Sequence, residues 1–252
     1  MTSEGAPFPV VEAPAVTTEQ MVEIDRLMVE ELGIELIQMM ENAGRHLADL
    51  SRSRFLAGWP VGKRVVVLAG TGGNGGGALV AARHLYNWGT DAWVVVTKQP
   101  PPDSVTAHQL EILRRMDLPV GTTKDLDVTE APDLVIDGII GYSLGGAPRG
   151  ESARLIEWAN DQPGPVLALD VPSGLEATTG VALSPAIRAT ATLTLALPKK
   201  GLRVPGVERH VGELYLADIS VPSTLYTRVG LDQEVGPIFA GGEIVRLMVG
   251  LG

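Results

Sequence analysis

Apolar positions recur at helical spacing early in the chain and then give way to short unbroken runs. Thr17-Thr18-Glu19-Gln20 has capping-box spacing, and Met21, Ile24, Met28 and Leu32 follow it, so a helix is predicted from Thr17 that ends at Gly33. Ile37, Met40 and Leu47 set the inward face of a second helical stretch over 34–54, closed by Gly58 and Pro60. After Lys63-Arg64 the period changes. The run VVVLAG from Val65 is β-branched and has no polar alternation, which predicts a strand buried on both faces, then a glycine-rich turn, then a helix over 78–88.

The same alternation continues to the end of the patterned region. Strands are predicted over 92–97, 134–137, 166–170 and 191–196, and helices over 103–116 and 151–160. Strands alternating with helices at this spacing require a mostly parallel sheet covered on both faces. The sequence therefore predicts an α/β fold, a Rossmann-like three-layer αβα sandwich with an N-terminal helical extension. Residues 1–16, rich in Pro and Ala, are expected to be a flexible tail. Residues 17–252 are expected to form a single domain.

Composition narrows the chemistry. Twenty basic against thirty acidic residues give a net charge of −10, and the chain has only 4 Trp, 4 Tyr and 3 Phe, so neither counterion displacement nor base stacking points to nucleic acid. The chain has no Cys, which excludes disulfides, thiolate metal sites and thiol catalysis. No apolar run approaches the roughly 20 residues that cross a bilayer, so no membrane role is expected. The first residues carry no basic n-region and no h-region, and a cytoplasmic setting is expected.

In doubly wound sheets, ligands collect beyond the carboxyl ends of the strands. Four such tips can be read here. The first, GTGGNGGGA from Gly70, satisfies G-x-G-x-x-G, yet the second strand ends in Thr97-Lys98 rather than in the acid that a nicotinamide dehydrogenase places there. A hydride-transferring enzyme is disfavoured on that ground. The glycines either admit a phosphate to backbone amides or only allow tight packing of strand on helix. The second tip, DGIIGYSLGGAPRG from Asp137, is either a ligand-wrapping loop, with Arg149 suited to phosphate, or an ordinary surface loop. The third, DVPSGLEATTG from Asp170, sets a carboxylate and a hydroxyl beside the crevice, where the acid is a candidate proton donor and acceptor or a turn cap. At the fourth, Lys199-Lys200 either meets phosphate or is a solvated pair. Asn74, Asp137 and Ser173 together offer oxygen donors suited to a hard cation. His46, His84, His108 and His210 are scattered and read as structural.

Six segments in order resemble the NAD(P)H-hydrate epimerase family: MVEIDRLMVEELGIELIQMMENAGRHLA, VVVLAGTGGNGGGALVAARHL, DLVIDGIIGYSLGGAPRG, LALDVPSGLEATTG, TLTLALPKKGL and GELYLADISVP. The resemblance runs from about residue 18 to 247. It implies a homodimer that interconverts the R and S forms of hydrated NADH and NADPH (NADHX and NADPHX), so that a separate dehydratase can restore the cofactor. A chain ending at Gly252 is expected to hold the epimerase alone.

Carried over position by position, the resemblance assigns substrate binding to Gly73, Asn74, Gly75, Gly76 and Gly77. It assigns a second substrate loop to Gly141, Tyr142, Ser143, Leu144, Gly145, Gly146 and Ala147. Asp170 is the implied substrate-contacting acid, and the loss and return of a ring hydroxyl make it the candidate acid–base catalyst; Asn74, Asp137 and Ser173 are the implied ligands of a potassium ion. Gly73 and Gly77 stand where the family usually has Asn and Asp, and Glu176 stands where it has another acid. That departure leaves an alternative: a catalytically impaired, nucleotide-binding dimeric scaffold of the same fold.

Overall fold

The computed structural model describes residues 8–126, 131–230 and 234–248. Its elements in chain order are β1 (Val10–Val11), α1 (Thr18–Arg26), α2 (Leu36–Leu50), β2 (Arg64–Ala69), α3 (Gly73–Asn87), β3 (Asp91–Val96), α4 (Val105–Arg115) and β4 (Val120–Thr122). They continue with β5 (Leu134–Gly138), α5 (Gly150–Asp161), β6 (Val166–Leu169), β7 (Ala191–Leu195), α6 (Glu208–Val211), β8 (Glu213–Ala217), α7 (Ser223–Tyr226) and β9 (Ile244–Leu247). The nine strands of the described residues form one sheet, ordered β1-β9-β8-β7-β6-β5-β2-β3-β4, and only the β8–β9 pairing is antiparallel.

Successive side chains of a strand face opposite ways, and here both faces are covered. Val65, Val67 and Ala69 of β2 pack with Leu47 of α2, Leu79 of α3 and Leu110 of α4. Val66 and Leu68 pack with Leu155 and Ile156 of α5 on the other face. Each such large apolar side chain contributes about 1.5–3 kcal/mol on burial, so the unbroken apolar run of β2 belongs in the interior of the sheet, between β5 and β3. This is the Rossmann-like αβα sandwich predicted from the pattern, with α1 and α2 as the N-terminal helical addition.

Local sequence explains the first helices. Thr17 Oγ1 accepts from the Gln20 N–H at 3.2 Å and Gln20 Oε1 accepts from the Thr17 N–H at 2.9 Å, a reciprocal cap that contributes about 1 kcal/mol. The chain then widens into a π turn over Leu27–Glu31. The wider turn rotates the apolar stripe. Met21, Ile24 and Met28 are buried as predicted, Leu27 joins them, and Leu32 turns outward to 44% exposure.

Three expectations change. Residues 8–16, expected as part of a tail, pack against the sheet: Val10 and Val11 pair with Arg246 and Leu247, and the buried Val16 bridges to Lys199. Residues 1–7 of that stretch lie outside the described residues. The helix expected over 78–88 starts at Gly73, so most of the glycine-rich turn is its first turn. Strands β1, β4, β8 and β9 are additions to those predicted.

The strand order reverses between β2 and β5: from β2 the chain proceeds outward through β3 and β4, then returns to β5 and proceeds the other way through β6, β7 and β8. In an open α/β sheet the crevice for a ligand lies at that reversal, past the carboxyl ends.

Candidate active site

The tips of β2 and β5 approach each other closely at the reversal. A Cβ on Gly70 would lie 1.9 Å from the Ile139 carbonyl oxygen, and one on Gly75 would lie 2.0 Å from the Gly70 carbonyl oxygen. Both positions exclude any side chain, which answers part of the glycine question: these two serve packing. Gly72 and Gly73 differ, since a Cβ there would meet nothing within 4 Å. Gly72 caps α3 without a side chain, leaving first-turn amides for an anion from solution.

A cavity of about 770 Å³ opens over these tips, within the roughly 300–1,000 Å³ range of small-molecule sites. Gly73, Asn74 and Gly77 line one side, and Gly141, Tyr142 and Ser143 line another. Leu169, Asp170, Leu195 and Lys199 contribute from the tips of β6 and β7. Met21 and Asp25 of α1, with Leu36, Met39 and Met40 of α2, supply a largely apolar wall. Gly75 and Gly76 fall within the first turn of α3 and do not line the cavity, nor do Leu144, Gly145, Gly146, Ala147 and Arg149. His46, His84, His108 and His210 also lie off it, as expected.

Asp170 is 4% exposed and holds a left-handed backbone with φ of 65°, a conformation few residues other than glycine adopt. Its Oδ1 accepts from the ammonium of Lys199 and, at 3.3 Å, from the Leu195 N–H. Lys199 is fully buried, and its Nζ also donates to the Leu195 carbonyl at 3.0 Å. The solvated-pair reading of Lys199 is therefore wrong, because it is the counter-ion of the acid. Its backbone is fixed from the N-terminal side, since Val16 N–H donates to Pro198 at 2.9 Å and Lys200 N–H donates to Val16 at 2.8 Å.

Behind this floor, Asp137 is fully buried at the end of β5. It accepts from the Ser173 hydroxyl at 2.6 Å, the Ser173 N–H at 2.8 Å and the Ile139 N–H at 3.2 Å. Burial pushes its carboxyl up to about 6 despite those three hydrogen bonds. Ser173 Oγ also accepts from the Ile140 N–H at 2.8 Å, tying the β5 loop to the β6 loop. Asn74 lies beside that loop: a Cβ on Gly141 would sit 3.3 Å from Asn74 Oδ1, and its buried Nδ2 has no hydrogen-bond partner. A buried carboxylate without a cationic side chain, a hydroxyl and the Oδ1 of a neighbouring carboxamide form an oxygen-donor set whose chemistry fits a hard cation.

One further group, Asp25, escaped sequence reasoning. Tyr142 of the expected substrate loop donates its hydroxyl to Asp25 Oδ2 at 2.5 Å, joining the β5 loop to α1. Asp25 has a signal that was there to be read. With Met21 and Met28 it makes an i, i+4, i+7 series, which sets the acid on the inward face of α1.

Comparison with known proteins agrees with this architecture. A sequence model of the family described as YjeF-related protein N-terminus matches residues 36–201. An NAD(P)H-hydrate epimerase from Dehalogenimonas lykanthroporepellens is 46% identical over 234 residues, 92% of each chain. A bifunctional NAD(P)H-hydrate repair enzyme Nnr from Salinibacter ruber is 36% identical over 85% of this chain, which spans 42% of that longer protein. The crystal structure of the yeast protein ynu0, YNL200c, superposes with a TM-score of 0.76 at 25% identity, covering 93% of this chain and 100% of that one. By these matches, the chain belongs to the NAD(P)H-hydrate epimerase family.

Proposed function

We propose that the protein repairs hydrated nicotinamide nucleotides by interconverting the R and S forms of NADHX and NADPHX. The observation that carries this is Asp170, buried at the tip of β6 on the floor of the cavity beside the strand-order reversal and held by Lys199. The substrate bears a hydroxyl on a ring carbon next to nitrogen. Loss of that hydroxyl as water leaves an iminium delocalised toward the carboxamide, and water can return to either face. Asp170 protonates a hydroxyl departing on its own side of the ring and deprotonates water returning there, work that contributes about 10²–10⁴-fold to rate. Lys199 orients the carboxylate and, through the hydrogen bond between them, is the source of the proton that Asp170 delivers. The substrate's phosphates lie at the first turn of α3, beside Gly72 and Gly73, where an added Cβ would meet nothing within 4 Å. Gly141, Tyr142 and Ser143 close over the other side, with the rest of the loop through Ala147 outside the cavity wall.

Asn74, Asp137 and Ser173 would hold a potassium ion. When bound, it supplies the positive charge that the buried Asp137 lacks, and so fixes the β5 and β6 loops around the substrate. Homodimeric assembly and cytoplasmic work beside a separate dehydratase go with the same reading. The scaffold alternative is not adopted, because Asp170, Lys199, Asn74 and Tyr142 all meet in one cavity. A coupled assay tests the activity. The R-hydrate is incubated with the protein and an S-specific dehydratase; reduced cofactor is expected at a rate well above that without the protein, and a rate equal to spontaneous epimerisation overturns the proposal.

A further inference from the structure

Two carboxylates line the cavity, and the chemistry above uses only one. The second, Asp25, is half-buried on α1 and accepts from the Tyr142 hydroxyl at 2.5 Å. The Tyr142 ring centre lies 5.9 Å from Lys199 Nζ, whose ammonium is on Asp170. The four groups therefore follow one another across the cavity in the order Asp25, Tyr142, Lys199, Asp170, brought there by α1, the β5 loop, the β7 tip and the β6 tip. Burial raises the Asp25 carboxyl above its usual range, although the Tyr142 hydrogen bond and the Lys199 charge oppose the shift. Burial and the neighbouring Asp25 carboxylate raise the Tyr142 phenol, so that it stays protonated at neutral pH. A protonated phenol already bonded to a carboxylate can pass a proton either way.

Inversion at the hydroxyl-bearing carbon requires oxygen to leave one face of the ring and return to the other. One carboxylate fixed at the cavity floor serves one face of a bound ring. We propose that Tyr142, relaying protons to and from Asp25, is the acid–base group for the second face, with Asp170 serving the first. This rests on the epimerase reading. In one direction, the proton held between the Lys199 ammonium and Asp170 passes through Asp170 to the ring hydroxyl and the C–O bond breaks, its electron pair leaving with the water. The ring nitrogen lone pair forms the C=N⁺ bond of the iminium. A water on the opposite face then attacks the carbon and gives its proton to the Tyr142 oxygen as Tyr142 passes its own to Asp25. The hydroxyl oxygen is replaced by a solvent oxygen and one proton has moved from the Asp170–Lys199 pair to Asp25. The reverse reaction, or exchange with solvent, restores the starting state.

The test uses the full chain and separately purified R- and S-hydrates in H₂¹⁸O. In Tyr142→Phe, epimerisation falls at least about 10²-fold, while ¹⁸O exchange into one of the two epimers continues near the wild-type rate, because Asp170 still expels and returns water on its own face. Asp25→Asn gives the same split, and Asp170→Asn leaves exchange in the other epimer. If Tyr142→Phe lowers exchange and epimerisation by the same factor, or changes neither, the two-face arrangement is wrong. Tyr142→Phe keeps the ring packing, so it decides the matter even if Asp25→Asn fails to fold. A wild-type protein that epimerises neither hydrate overturns the epimerase reading itself, a result distinct from either of these.

Discussion

Lys199 at the tip of β7 is fully buried with its ammonium on the carboxylate of Asp170 at the tip of β6, so an acid and its counter-ion share the floor of one cavity. A pair of this kind adds little net stability, yet breaking it from one side is expensive. Lys199→Met leaves Asp170 buried and unpaired and is expected to lower the unfolding free energy by about 3–5 kcal/mol. The double variant Lys199→Met/Asp170→Asn removes both charges and is expected to cost clearly less than the two single changes added together. Urea denaturation of the four proteins measures the coupling. Strict additivity would mean that the two groups do not depend on each other.

A second expectation concerns Asp137, fully buried with only neutral hydrogen-bond partners. A cation bound by Asn74, Asp137 and Ser173 stabilises the folded chain by mass action. The melting temperature is therefore expected to be higher in potassium chloride than in choline chloride at equal ionic strength. Asp137→Asn is expected to abolish that difference. Equal melting temperatures of the wild-type protein in the two salts would argue against a cation site there.

His46 gives a pH dependence with a definite sign. The ring is buried on α2, its Nδ1 has no hydrogen-bond partner, and burial holds its pKa below the usual value of 6.5. The folded chain resists a proton that the unfolded chain accepts, so stability is complete above the unfolded value and is lost as pH falls below it. Between pH 7 and pH 5 the wild-type protein is expected to lose more stability than His46→Gln, as followed by thermal melts. Parallel pH curves for the two proteins would remove His46 from the account.

The two glycines that depart from the family pattern have different surroundings. A side chain on Gly73 would enter open space, whereas a Cβ on Gly77 would come within 2.9 Å of Leu169 Cδ2. Gly73→Asn is expected to change stability by no more than about 0.5 kcal/mol. Gly77→Asp is expected to destabilise by about 1–3 kcal/mol through overpacking. Denaturant titration of both variants checks this, and equal effects would mean that the space around Gly77 yields more readily than its contacts suggest.

The sequence exposes the sheet tips well because the signal there is local. Val65 to Ala69 is an unbroken apolar run followed at once by glycines, and Asp137 and Asp170 each end a buried strand. That pattern led directly to the crevice at the strand-order reversal. The burial of Lys199 was not legible, because it depends on Val16 bridging to the backbone at 198–200 from far away in the chain. For the same reason residues 8–16 read as a tail: a strand as short as β1 takes its stability from pairing with β9, not from any pattern of its own. Leu32 misled differently, since a π turn after Arg26 shifted a stripe that a regular helix would have kept inward. Asp25 was legible from its spacing with Met21 and Met28, but only the fold shows Tyr142 reaching it.

The central claim is that Asp170 turns over the ring hydroxyl of a hydrated nicotinamide nucleotide. Its most direct test is to incubate one purified epimer with the protein alone and follow the approach to the R/S equilibrium by chromatography. Wild-type protein is expected to reach equilibrium far faster than buffer, and Asp170→Asn is expected to be slower than wild type by about 10²–10⁴-fold. A wild-type rate equal to that of buffer, or an Asp170→Asn variant as fast as wild type, would contradict it.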